Sequence, residues 1–433
     1  MQKIIITLLI LTLVSTGSAV MRIVPDSYRT IQFAINAARD TDTIMVMPGT
    51  YYENLVIEAK NIVVGSMFVT TGDELYIDST IIDGGEASSV ITMTGVERGT
   101  AAIAGLTIAN GLNDFGGGLV LINSSPLITH CHIVDNDAYD SGGGILILDN
   151  CYPIVSYCYI AENETNIGGG GGAYCVDSGP FFEFCVFSSN CSDVEGGGGV
   201  HNHNGDSVFI NCTITGNTAD GSGGAVWCTG DAVFHVTNCI FFDNDVYEIS
   251  LFDNNQVTVS YSDIEGGQQR ILVYGESIVI WGTGNIDANP LMVSPGEGDF
   301  HLLPDSPCID TGDPRYPLDP DNTRSDMGAM FFNQAYSVET EGVTLPAQFG
   351  ITSIYPNPFN SSTSIKFRLA ADGQAVLSLL DINGRMIYRL LEGRLSAGEH
   401  EIRLDASGLP CGLYFTRIVS GSETRMKKLT LLK

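Results

Sequence analysis

The chain has 433 residues, with 50 Asp or Glu against 20 Lys or Arg and a formal net charge of −30 at pH 7. This balance removes nucleic acid as a partner, because phosphate neutralisation needs Lys and Arg, and it repels acidic polysaccharide unless a cation intervenes. With 44% hydrophobic and only 16% charged residues, there is enough apolar side chain for a large core.

In chain order, residues 1–19 read as an export signal: Lys3 is the positive start, Ile4 to Val14 the apolar stretch, and Gly17-Ser18-Ala19 the cleavage site. An apolar run of 11 residues is too short to cross a bilayer, and no other segment comes close, so no transmembrane segment is expected. The 11 cysteines of an exported chain permit disulfides, but the odd count leaves at least one thiol unpaired.

Residues 20–332 are organised by a repeat. Cys131, Cys158, Cys185, Cys212 and Cys239 are spaced by 27, and Asn136, Asn163, Asn190, Asn217 and Asn244 keep the same step. Ile133, Ile160, Phe187, Ile214 and Phe241 follow each cysteine by two. A fixed period of this kind marks a solenoid. Glycine runs at Gly116 to Gly118, Gly142 to Gly144, Gly168 to Gly172, Gly196 to Gly199 and Gly223 to Gly224 disfavour helix. Strand-length apolar stretches follow, such as Leu119 to Ile122 and Ile145 to Leu148. Pro126, Pro153 and Pro180 recur in phase, where each can start a strand. Each unit therefore reads as a coil of two or three strands, and stacking puts equivalent residues about 4.8 Å apart. The asparagines should form a hydrogen-bonded ladder. The cysteines read as small core residues, with disulfides between coils as the competing reading.

Charge within the repeat is extreme: between Arg98 and Arg270 there are 20 carboxylates and no Lys or Arg. Asp135 and Asp137 share a phase with Glu162 and Glu164 one coil later, and with Asp243 and Asp245 further on. Like charges so close need solvation, protonation or a bridging cation. Asp135, Asp137, Asp140, Glu162 and Glu164 are accordingly candidates for Ca²⁺, whose ligands are oxygens. Asp319, Asp321 and Asp326 form a second candidate set near the end of the repeat. Solvated turn residues are the alternative for all of them. Asp135, Asp137, Glu162 and Glu164 are also the candidate catalytic groups, since glycoside hydrolysis uses two carboxylates. His201 and His203 share one strand face, without a third metal ligand in sight.

Residues 333–351 read as a linker. From 352 to 433 strands alternate with turns, at Ser364 to Leu369, Ala375 to Asp381, Met386 to Leu391, Glu399 to Asp405, Leu413 to Val419 and Lys428 to Leu432, which predicts a small antiparallel β-sandwich. The fold class is thus all-β, a parallel solenoid followed by a sandwich.

Both parts have resemblances. Residues of about 22 to 332 resemble the secreted right-handed parallel β-helix proteins of the pectin-lyase-like superfamily, through YRTIQFAINAARDTDTIMVMPGTYYENLVI from Tyr28, the repeated coils, and LLPDSPCIDTGDPRYPLDPDNTRSDMGA from Leu302. The Asn-Thr-Asp, Asp-Asp, Gly-His-Gly and Arg-Ile-Lys strings of polygalacturonases do not occur, and the central coils lack the basic residue a pectate lyase needs. Residues of about 352 to 433 resemble the type A C-terminal sorting domain of the type IX secretion system. Pro356, Asn357, Pro358, Phe359 and Asn360 match its opening motif, and Gly384, Gly398, Gly412 and Tyr414 match later positions. This resemblance implies the type IX machinery as a partner and a Gram-negative exporter. After removal of the signal peptide, the protein would be secreted or held on the outer cell surface.

The expected function is an exported surface or extracellular β-helix that binds polysaccharide or cell-surface glycans, or mediates surface interaction. The alternatives are a polysaccharide-degrading lyase or glycoside hydrolase, and a structural adhesin-like rod. No cofactor beyond possible Ca²⁺ is implied.

Overall fold

The computed structural model describes residues 19–334 apart from 100, 195 and 222, and residues 350–431 apart from 356–358, 360–361, 370–371, 381–384, 407, 411 and 421–422. The expected signal segment up to residue 18 and most of the expected linker therefore lie outside the described residues. The chain divides into two compact units at Gln334 and Ala335.

In the first unit a coil contains four short strands. The coil starting at Leu127 runs through Leu127–Thr129 in a first sheet, His132–Val134 in a second, Asp137–Ser141 in a fourth and Ile145–Leu148 in a third. Each strand pairs in parallel with its equivalent in the next coil, so that Ile128 faces Val155, Ile133 faces Ile160 and Ile147 faces Cys175. The sheets hold 11, nine, nine and five strands, so the unit is a parallel β-solenoid. Ile154 N donates to Pro126 O and Phe181 N to Pro153 O, which places these prolines at strand starts as expected.

The corners explain the spacing of the ladders. One residue at each corner adopts the left-handed conformation, as at His130 (φ 50°) and Asp135 (φ 54°), then at Tyr157 and Glu162 one coil later. Such a residue turns the chain in a single step, and the residue after it points into the core. That inward residue is the cysteine at one corner and the asparagine at the next. Asn136 Nδ2 donates to Asn163 Oδ1 at 3.0 Å, and the file continues through Asn190, Asn217 and Asn244 at 2.9, 2.8 and 2.9 Å. Each amide also donates to a strand carbonyl, Asn190 to Ile160 O for example, so no buried amide lacks a partner. The five thiols stand in contact in a single file, and all ten cysteines among the described residues are free. Burial holds the thiols of Cys131, Cys158, Cys185 and Cys212 well above their ordinary range, so they behave as small apolar groups.

The glycine runs lie where the fourth sheet passes into the third. A Cβ on Gly143 would press on the backbone oxygen of Glu164 and stand 2.7 Å from Gly171 O, so adjacent coils approach too closely for any side chain.

Helix Ile31–Ala37, not anticipated from the repeat, covers the first coil with Ile31, Ala34 and Ile35 buried against the core. Thr30 Oγ1 accepts from Phe33 N, and the Glu53 carboxylate accepts from Ile31 N and Gln32 N. After the last coil, the segment from Gly282 to Gln334 turns back over the outer face of the second sheet. Ala329 N donates to Thr213 Oγ1 at 3.0 Å and Gly328 N to Asn238 O at 2.8 Å. The outward-facing Val186, Thr213 and Ile240 are consequently buried.

The second unit packs a three-stranded sheet (Gly350–Tyr355, Ser362–Leu369, Gly398–Asp405) against a four-stranded one (Gly373–Leu380, Met386–Leu395, Gly412–Ser420, Glu423–Leu431), all pairings antiparallel. Ile365, Phe367, Leu377, Leu379, Ile418 and Leu429 form one shared core. The strand Gly350–Tyr355 begins inside the stretch read as linker. Phe359 is buried in the core and bridges to Leu431. Gly398 (φ 120°) and Gly412 (φ 150°) take positive φ values that favour glycine, and the Tyr414 hydroxyl donates to Pro410 O at 2.7 Å. Pro356, Asn357, Pro358, Asn360 and Gly384 lie outside the described residues.

Candidate functional site

Thr107, His132, Tyr159 and Val186 are register neighbours on the outer face of the second sheet. Two insertions cover this face from opposite ends. The short helix Leu75–Asp78 sits over Thr107, whose Oγ1 donates to Ile77 O at 2.9 Å, and the returning segment brings Phe300 onto Val186. The window left between them is a cleft of about 510 Å³ lined by Asp78, His132, Asp135, Tyr159, Glu162, Glu297 and Phe300, among others.

Within it, His132 Nδ1 and Asp78 Oδ1 are 3.0 Å apart, which fixes the imidazole orientation. The Tyr159 ring meets His132 edge-on at 5.6 Å between centroids and lies 6.1 Å from the ring of Phe300. Burial, reinforced by Glu162 and Asp135, raises the Tyr159 phenol above its ordinary range, so it remains a hydrogen-bond donor. A partly exposed tyrosine ring, backed by the buried Phe300 and with acceptor carboxylates nearby, suits a ligand that has both apolar faces and hydroxyl groups.

The four candidate catalytic carboxylates do not share one site. Asp135 and Glu162 occupy left-handed corner positions and line the cleft. Asp137 and Glu164 are register partners on the fourth sheet, outside the cleft lining. The inward Asn136 and Asn163 separate the pairs, so each pair leaves the corner along a different sheet. Burial and then neighbouring acids, Glu86 and Asp135 for one, Asp137 and Asp193 for the other, raise the carboxyls of Asp137 and Glu164.

Asp140 accepts a hydrogen bond from the hydroxyl of Ser141 at 2.7 Å. In the returning segment the acids hold backbone. Asp326 accepts from Asp310 N and Phe332 N, Asp321 from Thr323 N and Gln334 N, and Asp319 from Asp326 N. Burial pushes Asp319 up to about 7 and Asp326 to about 6. Among the described residues no three His, Cys, Asp or Glu side chains are grouped as metal ligands. His201 Nε2 and His203 Nδ1 both bond Thr229 Oγ1 at 2.9 Å, and burial drops His201 to about 3.

Residues 353–431 match the family described as the secretion system C-terminal sorting domain, and residues 60–219 match the right handed beta helix region. The chain thus contains a right-handed β-helix region and a secretion sorting domain. No curated protein matches it. Among solved structures, a pectin methylesterase from Aspergillus niger is 15% identical, with a TM-score of 0.35 over 63% of this chain and 87% of its own. A pectin methylesterase mutant in complex with a hexasaccharide is 10% identical, with a TM-score of 0.31 over 64% of this chain and 91% of its own. Likeness at this distance transfers neither a site nor an activity.

Sequence reasoning missed Asp78, His132, Tyr159, Glu297 and Phe300. His132 and Tyr159 carried a usable signal, because each directly follows a ladder cysteine and so repeats at the same step of 27. The other three come from segments outside the repeat, and no periodic pattern points to them.

Proposed function

We propose that this β-helix is exported by the type IX machinery of a Gram-negative bacterium to its surface or surroundings, and that it binds carbohydrate in the cleft on its second sheet. The match of residues 353–431 to a secretion sorting domain supports the export reading. The carbohydrate reading is carried by the half-buried Tyr159 ring, backed by the buried Phe300, with Asp135 and Glu162 lining the same cleft. Such a ring packs on the apolar face of a sugar while carboxylates accept from its hydroxyls. The test is retention of the purified full chain on a panel of plant and bacterial glycans, before and after Tyr159→Ala. Retention that the substitution abolishes supports the reading, whereas a chain held by no glycan, or held equally by the variant, sinks it. For export, a chain truncated before Gly350 should remain inside the cell envelope when the full chain reaches the surface.

A second reading, a polysaccharide-degrading enzyme, is favoured by the Asp78–His132 pair, since a carboxylate-oriented imidazole is a common general base. Release of reducing-end or unsaturated products from a retained glycan, lost on His132→Gln, would establish it.

A further inference from the structure

The two ends of the solenoid are finished differently. At the start, helix Ile31–Ala37 lies over the first coil, and the outermost strand of the first sheet, Met21–Val24, carries Arg22 and is followed at once by Pro25. A covering helix, a charge and a proline are devices that keep a sheet edge from pairing with another chain. At the far end the outermost strand of the same sheet is Ile278–Trp281, and among the described residues it pairs with Gln256–Ser260 alone. This end lacks the charge and the proline. From Ile271 to Ile286 there is no proline and one charged residue, Glu276, while Ile278 and Ile280 are 54% and 44% exposed.

The open side of this strand is complementary to itself. Ile278 N and Gly282 N donate back to Asn255 O and Val259 O at 2.8 and 2.7 Å. Backbone groups alternate in direction along a strand, so the N–H and C=O of Val279 and Trp281 point to the open edge. The side chains of these two residues pack against the core, and those of Ile278 and Ile280 turn outward. A second copy of the strand, related by a two-fold axis at Ile280, runs antiparallel and sets Val279 of each chain opposite Trp281 of the other. Each such pair exchanges both backbone hydrogen bonds. Inward side chains then meet inward ones, and the two Ile280 side chains face each other on the outside. A slip of one residue would destroy both matches.

We infer that two copies of this chain associate tail to tail through Ile278–Trp281, joining their first sheets across an antiparallel pair. Charge favours this end. A chain of net charge −30 repels its own copies, and Glu276 is the single charge carried between Ile271 and Ile286. The size is adequate as well. Ser262 and Asn285 stand one coil, 23 residues, apart, which matches the roughly 20 to 30 residues a side of a standard interface. Coil-on-coil stacking at the other end is blocked by helix Ile31–Ala37, whose Ile31, Ala34 and Ile35 are buried against the core. The contact therefore closes at two chains and does not grow into a filament.

The experiment is sedimentation velocity of the purified full chain over a concentration series, together with Ile280→Lys, Ile280→Glu and an equimolar mixture of the two variants. The parent should sediment as a dimer. Each variant alone sets two like charges face to face at the axis and should weaken association about a hundredfold or more. The mixture should regain the dimer, because a lysine then faces a glutamate. A second readout needs no substitution: in the parent, the amides of Val279 and Trp281 should exchange more slowly as protein concentration rises, and those of Met21–Val24 should not. A parent that stays monomeric at every concentration overturns the inference. So does a dimer that persists in both variants, since it would lie on another face, and so does growth beyond two chains.

Discussion

Asn244 donates its side-chain amide to Glu248 Oε2 at 2.7 Å, so the ladder of five buried amides ends on a carboxylate. Glu248 is fully buried, and its other oxygen meets Arg270 Nη2 at 3.3 Å. Burial outweighs these partners and pushes the Glu248 carboxyl up to about 7. The folded state therefore holds this proton more tightly than the unfolded chain, and the stability it contributes is complete below the unfolded value and lost as pH rises through about 7. Glu248→Gln should remove on the order of 3 kcal/mol of pH dependence between about pH 5 and pH 8. Denaturant titrations of both proteins at several pH values measure it, and identical pH profiles would refute it.

The same sign applies elsewhere. Burial raises Asp263 to about 6, Asp319 to about 7 and Asp326 to about 6, so their contribution also fades as pH climbs through 6 to 7. Asp313 is lowered by its Arg315 partner. Asp42 and Asp321 also stand below their ordinary value, because hydrogen bonds to the carboxylates outweigh burial. These three contribute stability that is lost as pH falls below the carboxylate range. Maximum thermal stability is expected in mildly acidic solution, at roughly pH 4 to 6. A melting temperature that rises steadily from pH 5 to pH 8 would contradict this at about that resolution.

Asn190 sits at the middle of the ladder. Its Oδ1 accepts from both the backbone N and the Nδ2 of Asn163, and its Nδ2 donates to Ile160 O and to Asn217 Oδ1. Asn190→Ala would orphan several fully buried groups at once, each costing roughly 1 to 3 kcal/mol. The expected loss is about 3 kcal/mol or more. Cys185→Ala on the neighbouring file removes one sulfur atom and no essential hydrogen bond, and should cost about 1 kcal/mol. Equal losses for the two variants by equilibrium unfolding would mean that the amide file is not what registers the coils.

In the cleft, the two parts of Tyr159 are separable. Tyr159→Phe keeps the ring against Phe300 and deletes only the hydroxyl, so glycan affinity should fall by about tenfold or less. Tyr159→Ala also removes the stacking surface and should abolish measurable retention. Both variants should melt near the parent, because this ring is only half-buried on the outer face of the sheet. An alanine variant that binds as well as the parent would move the ligand site away from this cleft.

The coil, its ladders and its strand phases were legible because one residue choice repeats at every corner, and a period of 27 needs no knowledge of the third dimension. Of the four carboxylates at Asp135, Asp137, Glu162 and Glu164, the sequence shows the shared phase, whereas the structure divides them, Asp135 and Glu162 lining the cleft and Asp137 and Glu164 pairing on the fourth sheet. Spacing along the chain shows that two acids flank an asparagine, and only the left-handed bend shows that they then leave on different sheets. Asp78, Glu297 and Phe300 were illegible for another reason. They reach the cleft on non-repeating insertions, whose return over the second sheet depends on single contacts such as Ala329 with Thr213.

Gly143 tests how closely the coils must stack. Its φ is not positive, so alanine would suit its local backbone, and any effect must come from the neighbouring coil. There a Cβ meets the backbone oxygens of Glu164 and Gly171, which cannot swing aside as a side-chain tip could. Relief requires the two coils to separate at the corner between the fourth and third sheets, stretching hydrogen bonds such as Gly144 N to Gly171 O at 2.8 Å. Gly143→Ala should cost about 2 to 4 kcal/mol. It should also speed amide exchange along Asp137–Ser141 and Ile145–Leu148 while leaving Leu127–Thr129, on the opposite side of the coil, protected. Hydrogen exchange followed by mass spectrometry resolves these segments. Uniform acceleration around the whole coil would show that the glycine acts on global stability and not on this one contact between coils.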